Sequence, residues 1–125
     1  MNERRQKGLQ IMDAIVGDYA SKLTSDIEQL APGFSDTLIE LAFGDVCARP
    51  GLDLKMRELA TIAALTSLGT AAPQLRLHVN GALNVGCSRT EIVEVIVQTA
   101  LYAGIPATLN GLTIAKDVFA ARPLL

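Results

Sequence analysis

The sequence predicts an all-α fold, a single-domain helical bundle of about six helices over residues 1–125 that assembles as a homo-oligomer. Three observations predict it. Half of the 125 residues are hydrophobic but only 4% are aromatic and Trp is absent. Ala and Leu therefore carry much of the apolar content, which favours close-packed helices over a β-sandwich. Helix start and stop signals follow one another almost without a gap, while strand-like alternation is missing. Two of the predicted helices are apolar on most faces, more than a chain of this length can hide, so a second copy is expected to cover part of them.

A first helix is expected over residues 2–16, with Leu9, Met12, Ile15 and Val16 inward and Gly17 as its stop. Ser25-Asp26-Ile27-Glu28 has capping-box spacing and predicts one short helical turn closed by Pro32-Gly33. The next helix spans about 34–48 and stops at Arg49-Pro50-Gly51. Asp53 fits the N-cap of a helix through Leu68, and Gly69 fits its C′ position. Residues 73–85 form another helix ended by Gly86. Ser88-Arg89-Thr90-Glu91 is a second capping box and opens a helix to about Ala103. Gly104 breaks it, and Pro106 suits the N1 position of a last helix ending near Ala121.

The formal net charge of −2, with no cluster of Lys or Arg, argues against a nucleic-acid partner. The longest apolar runs are interrupted by Glu94, Gln98 or Thr66, so no membrane span is expected. The charged N-terminus lacks the apolar core and cleavage site of a signal peptide, which points to a cytoplasmic protein. Cys47 and Cys87 lie 40 positions apart without metal or redox spacing and read as reduced thiols. One histidine and no acidic cluster at ligand spacing leave no basis for a metal site, and no phosphate or dinucleotide loop is present. The chemistry to expect is acid/base work without a cofactor.

Glu58 is the most informative residue. On a helical projection it shares a sector with Leu54, Ile62 and Leu65, and a carboxylate inside an apolar stripe is costly unless paired or hydrogen-bonded. It is either a buried salt bridge, for instance to Arg49, Arg57 or Arg76, or a group kept for chemistry. His78, the only histidine, sits on the shoulder of the stripe formed by Leu75, Val79, Ala82 and Leu83. Histidine is the residue type suited to proton transfer, although a boundary histidine bonded to a carbonyl or an oligomer partner satisfies the same pattern. The two belong to successive helices, and counting from the loop leaves them offset by roughly 7–8 Å along the axis, close enough to share a pocket without touching. Arg49 and Arg76 are candidate forks for a carboxylate on a small anionic substrate. Tyr102 and Asn110 are further polar groups on apolar helices.

The chain resembles the carboxymuconolactone decarboxylase family of the alkylhydroperoxidase D-like superfamily. The resemblance rests on Gly44-Asp45-Val46-Cys47-Ala48-Arg49-Pro50-Gly51-Leu52-Asp53, on Arg57-Glu58-Leu59-Ala60-Thr61-Ile62-Ala63-Ala64-Leu65, and on Leu77-His78-Val79-Asn80-Gly81-Ala82-Leu83-Asn84-Val85-Gly86. It continues through Glu91-Ile92 and Tyr102-Ala103-Gly104-Ile105-Pro106-Ala107. It implies an all-α subunit in a ring-like oligomer, a trimer or hexamer. It also implies one of two chemistries.

Redox members carry a CxxC between the glutamate and the histidine. The comparable stretch here, Thr70-Ala71-Ala72-Pro73, has no cysteine, so a CxxC peroxidase is disfavoured. The other chemistry is decarboxylation of γ-carboxymuconolactone in aromatic catabolism. By resemblance His78 then donates the proton or steadies the oxyanion, Glu58 tunes it or acts as acid/base, and Arg49 clamps a carboxylate; Arg76 and Tyr102 stand beside them as candidate substrate contacts. Glu58 itself matches the redox branch, whereas decarboxylases of this type often hold a small hydroxyl residue there and an aromatic at Cys47. Two rivals stand beside the decarboxylase: a thiol antioxidant using Cys47 or Cys87, and a non-catalytic oligomeric binding module.

Overall fold

A computed structural model describes residues 2–122, and among these every regular element is helical. The chain divides into two compact units, residues 1–54 and 55–125.

In the first unit, α1 (Glu3–Val16) is opened by Asn2, whose side-chain oxygen accepts the Arg5 N–H at 2.7 Å. Its buried residues Gly8, Met12, Ile15 and Val16 follow the three- and four-residue spacing of one helix face. A 3₁₀ turn (Gly17–Tyr19) leads into α2 (Ala20–Leu30), then α3 (Phe34–Thr37), which continues without a break as a π-helix over Leu38–Cys47. Gly8 is there for contact. A Cβ built on it would lie 2.1 Å from the Ile39 carbonyl oxygen, and one on Gly44 would lie 2.6 Å from that of Arg4. The two helices thus meet backbone to backbone, pinned outside by Arg4, which donates to both Asp45 oxygens at 2.9 and 2.7 Å.

Two expectations for this unit need correction. Ser25 does not open a short turn but lies inside α2, because Glu28 reaches forward rather than back. Its carboxylate accepts the Gly33 N–H at 3.0 Å and is bonded by the Ser35 hydroxyl, closing the loop after the helix. The helix at 34–48 forms, but all beyond its first turn is wound as a π-helix, a difference that residue periodicity does not carry.

The second unit holds α4 (Leu54–Leu68, beginning at the boundary), α5 (Ala72–Asn84), α6 (Arg89–Gln98), α7 (Ala100–Ala103) and α8 (Ile105–Ala121). Its core gathers Ile62 from α4, Leu75, Val79 and Ala82 from α5, Ile92 and Ile96 from α6, and Ile114, Ala115 and Val118 from α8. Each fully buried Ile there contributes about 1.5–3 kcal/mol of transfer free energy. Gly69, at φ +74°, supplies the left-handed residue after α4, its N–H on the Thr66 carbonyl at 3.2 Å.

Ser88 and Glu91 form the expected capping box of α6, with Ser88 Oγ on the Glu91 N–H at 3.0 Å and Glu91 on the Ser88 N–H at 2.8 Å. The helix does not run unbroken to Ala103. It ends at Gln98, because the buried Thr99 hydroxyl turns to the Ile96 carbonyl at 2.6 Å and meets Thr108 Oγ1 at 3.2 Å. Past that break Leu101, Tyr102, Ile105 and Leu109 are exposed. No helix of the described residues is long and apolar enough to cross a membrane.

Candidate active site

In α4 the buried residues are Glu58, Ile62 and Thr66, a stripe repeating every four residues that α4 turns to the core of its unit. Glu58 is 1% exposed. α5 brings His78 to it, and Nδ1 stands 2.7 Å from Glu58 Oε1. Axial counting allowed the pair a shared pocket without contact; instead they bond directly, because packing of α4 and α5 and the reach of both side chains close the offset. The bond settles how Glu58 is tolerated in the interior, since a buried carboxylate needs a partner to offset its desolvation.

The bond also orders the imidazole. When Glu58 is ionised it can only accept, which puts the hydrogen on Nδ1; in either state Nε2 is the nitrogen not committed to Glu58. With 21% of its side chain exposed, His78 can be reached from outside while its partner cannot. A buried acceptor behind a reachable imidazole is an arrangement suited to moving one proton.

Arg76 and Tyr102 have other surroundings. Arg76 is half exposed on α5 and lies 3.7 Å from Asp117. Tyr102 is 87% exposed on α7 and lines a cleft of about 340 Å³ together with Leu59, Ala60, Ala63, Ser67, Val95, Gln98 and Thr99. Glu58 and His78 do not line that cleft. Nor do they line a second cavity of about 260 Å³ between the end of α4, the start of α5 and the middle of α8, where Asn110 sits. Arg49 is exposed in the segment following the π-helix of the first unit.

Neither cysteine is joined in a disulfide among the described residues. Cys87 is buried with Sγ 3.5 Å from the Lys55 carbonyl oxygen, and Cys47 is half-buried. Among the described residues no group of three or more His, Cys, Asp or Glu is placed to hold a metal ion. One residue had not been singled out for chemistry: Thr66, whose hydroxyl is buried without a hydrogen-bond partner among the described residues. Its signal was there, a polar side chain two turns beyond Glu58 on the same stripe.

Residues 32–117 match the carboxymuconolactone decarboxylase family. Over 118 residues the chain is 31% identical to a 4-carboxymuconolactone decarboxylase of Acinetobacter baylyi, covering 94% of this chain and 87% of that protein. It is 42% identical over 95 residues to an uncharacterised 15.0 kDa protein of Paracoccus denitrificans, covering 75% and 71%. It is 29% identical over 112 residues to a nitrosuccinic acid decarboxylase of Metarhizium robertsii, covering 88% and 77%. The matched span takes in α4 to α6 and most of α8, with Glu58 and His78 inside it, and the chain belongs to the carboxymuconolactone decarboxylase family.

Proposed function

We propose that the chain is a cofactor-free carboxy-lyase acting on a small carboxylated substrate of the 4-carboxymuconolactone or nitrosuccinate kind. The observation that carries this reading is the 2.7 Å bond between the only histidine and a buried glutamate. The two named decarboxylases among its relatives support the reaction type. Their substrates share one property: loss of carbon dioxide leaves an electron pair that a neighbouring acceptor, an unsaturated lactone or a nitro group, draws onto oxygen. The C–C bond breaks, carbon dioxide departs, and the stabilised carbanion takes one proton at carbon.

In this reading the imidazolium of His78 gives that proton through Nε2, and Glu58 steadies the cation while it waits. Arg49 and Arg76 are the proposed carboxylate clamps and Tyr102 a further substrate contact. A cytoplasmic homo-oligomer, trimeric or hexameric, belongs to the same proposal, with the exposed Leu101, Ile105 and Leu109 covered by a second copy; light scattering on the purified protein tests it. The deciding assay for the reaction is carbon dioxide release from each of the two substrates. Release that falls at least a hundredfold in His78→Gln supports the assignment. No release from either substrate, or full activity in the variant, overturns it.

A further inference from the structure

Proton transfer at the Glu58–His78 pair is separable from the loss of carbon dioxide. Nε2 is the imidazole nitrogen not committed to Glu58, and 21% of the His78 side chain is exposed against 1% for its partner. Proton traffic with a bound molecule therefore runs through one ring nitrogen. With Glu58 ionised and the hydrogen on Nδ1, Nε2 holds a lone pair and acts as a base. When it takes a proton, the buried carboxylate 2.7 Å from Nδ1 stabilises the cation that forms.

On its own helix pair this base has no second proton carrier beside it. One turn to either side of His78 on α5 stand Gln74, Leu75, Gly81 and Ala82, none of which titrates. At the same spacing from Glu58 on α4 stand Leu54, Lys55, Thr61 and Ile62. The Lys55 ammonium faces Glu91 at 3.6 Å, and the Thr61 hydroxyl donates to the Arg57 carbonyl at 2.8 Å. Among the described residues no third His, Cys, Asp or Glu joins the pair in a group that could hold a metal ion. A single base held on a helix reaches a bound carbon from one face and returns a proton to that same face.

We propose that the pair has a second activity, one-base exchange of a hydrogen on a carbon acid with solvent, in which no carbon dioxide is lost. Its substrates are small carbon acids whose anion is drawn onto oxygen by an adjacent nitro group or conjugated carbonyl. The proposal rests on the proton-donor role given to His78 above, since a group that delivers a proton to such a carbanion also removes it in the reverse direction. For a nitro compound Nε2 takes the proton, the C–H electron pair becomes the C=N bond of a nitronate, and a nitro π pair moves onto oxygen. The reachable imidazolium trades its Nε2 hydrogen with water, and the return step places a solvent hydrogen on carbon. Water is the one co-reactant.

The test is incubation of the full-length protein in deuterium oxide with 3-nitropropanoate, the compound that nitrosuccinate leaves on losing the carboxyl next to its nitro group. Proton NMR follows the two hydrogens on the nitro-bearing carbon. Expected is rapid loss of one of them, the signal levelling at half its starting area, at a rate about a hundredfold above that with His78→Gln. Glu58→Gln leaves Nε2 in place and should slow the exchange about tenfold, because the cation loses its carboxylate. Loss of both hydrogens at one rate, which wild-type protein alone reveals, overturns the proposal, and so does an undiminished rate in His78→Gln. Carbon dioxide release from nitrosuccinate without exchange overturns it and leaves the carboxy-lyase standing. Exchange without release from either substrate removes the carboxy-lyase and leaves the one-base exchange; absence of both activities overturns both.

Discussion

His78 Nδ1 and Glu58 Oε1 share a hydrogen bond of 2.7 Å, so the sole histidine and the most deeply buried carboxylate of the described residues form one unit rather than two sites. Everything chemical that the chain offers at Nε2 is conditioned by that bond. Glu58→Gln keeps the volume but replaces an acceptor-only group with an amide that no longer stabilises an imidazolium. Decarboxylation is expected to fall roughly 10–100-fold, less than the loss of about 10²–10⁴-fold in His78→Gln, because the glutamate acts only through the ring. ¹⁵N shifts of the imidazole check the cause: the wild-type ring holds hydrogen on Nδ1, and the variant loses that preference. Equal losses in both variants, with an unaltered tautomer, would contradict the division of roles.

The same bond has a folding consequence. His78→Ala leaves Glu58 buried without its partner, and removing one member of a buried pair costs about 3–5 kcal/mol. Urea unfolding should show it. His78→Gln retains a donor and should lose less, which is why that variant is the fair one for activity. Comparable midpoints for the two would mean that Glu58 finds another donor or water.

How far the sequence could be read follows from what each feature depends on. Glu58 and His78 were visible because each is a lone polar group against an apolar periodicity, and the capping box at Ser88 because a local rule defines it. Ser25 matched the same local rule and failed, since Glu28 had a better use seven residues on, at Ser35. Thr99 interrupts its helix through a bond to Thr108 that needs α8 in place. The close approach of α1 to the π-helix depends on how those two helices pack, and so does the direct Glu58–His78 contact on α4 and α5. These are tertiary facts, and no residue spacing contains them.

Gly8→Ala tests the closest of those contacts. The added methyl would meet the Ile39 carbonyl, which is backbone and cannot swing away, so α1 and the π-helix must separate. Overpacking of this kind costs about 1–3 kcal/mol. Chemical denaturation should register it with little change in the Glu58–His78 tautomer. An unchanged midpoint would show that the helices sit further apart than described.

Acid should unfold the protein from a few particular bonds. Glu28 lies below its usual 4.5, first through the Ser35 hydroxyl and then the Gly33 N–H. Glu91 lies below 4.5, first through the Ser88 N–H. Asp45 is held below 3.8, chiefly by its hydrogen bond from Arg4. A carboxylate that binds its proton less readily when folded adds stability above its unfolded value, and that stability fades as pH drops through the folded one. The unfolding free energy should therefore decline below about pH 4.5, and Glu28→Gln should flatten part of that decline. A variant as acid-sensitive as the parent would remove Glu28 from the account.

The thiols distinguish the redox alternative. Thiol chemistry needs a reachable thiolate, and Cys87 is 4% exposed with its Sγ turned to the Lys55 carbonyl. A thiol reagent should therefore label the half-buried Cys47 first and Cys87 only at the rate of local opening. If decarboxylation is the activity, Cys47→Ser and Cys87→Ser should each retain it within about twofold, because the proposed proton transfer uses the imidazole and no sulfur. Peroxide-dependent loss of Cys47 thiol that tracks an activity, and disappears in Cys47→Ser, would move the function from the imidazole to the sulfur.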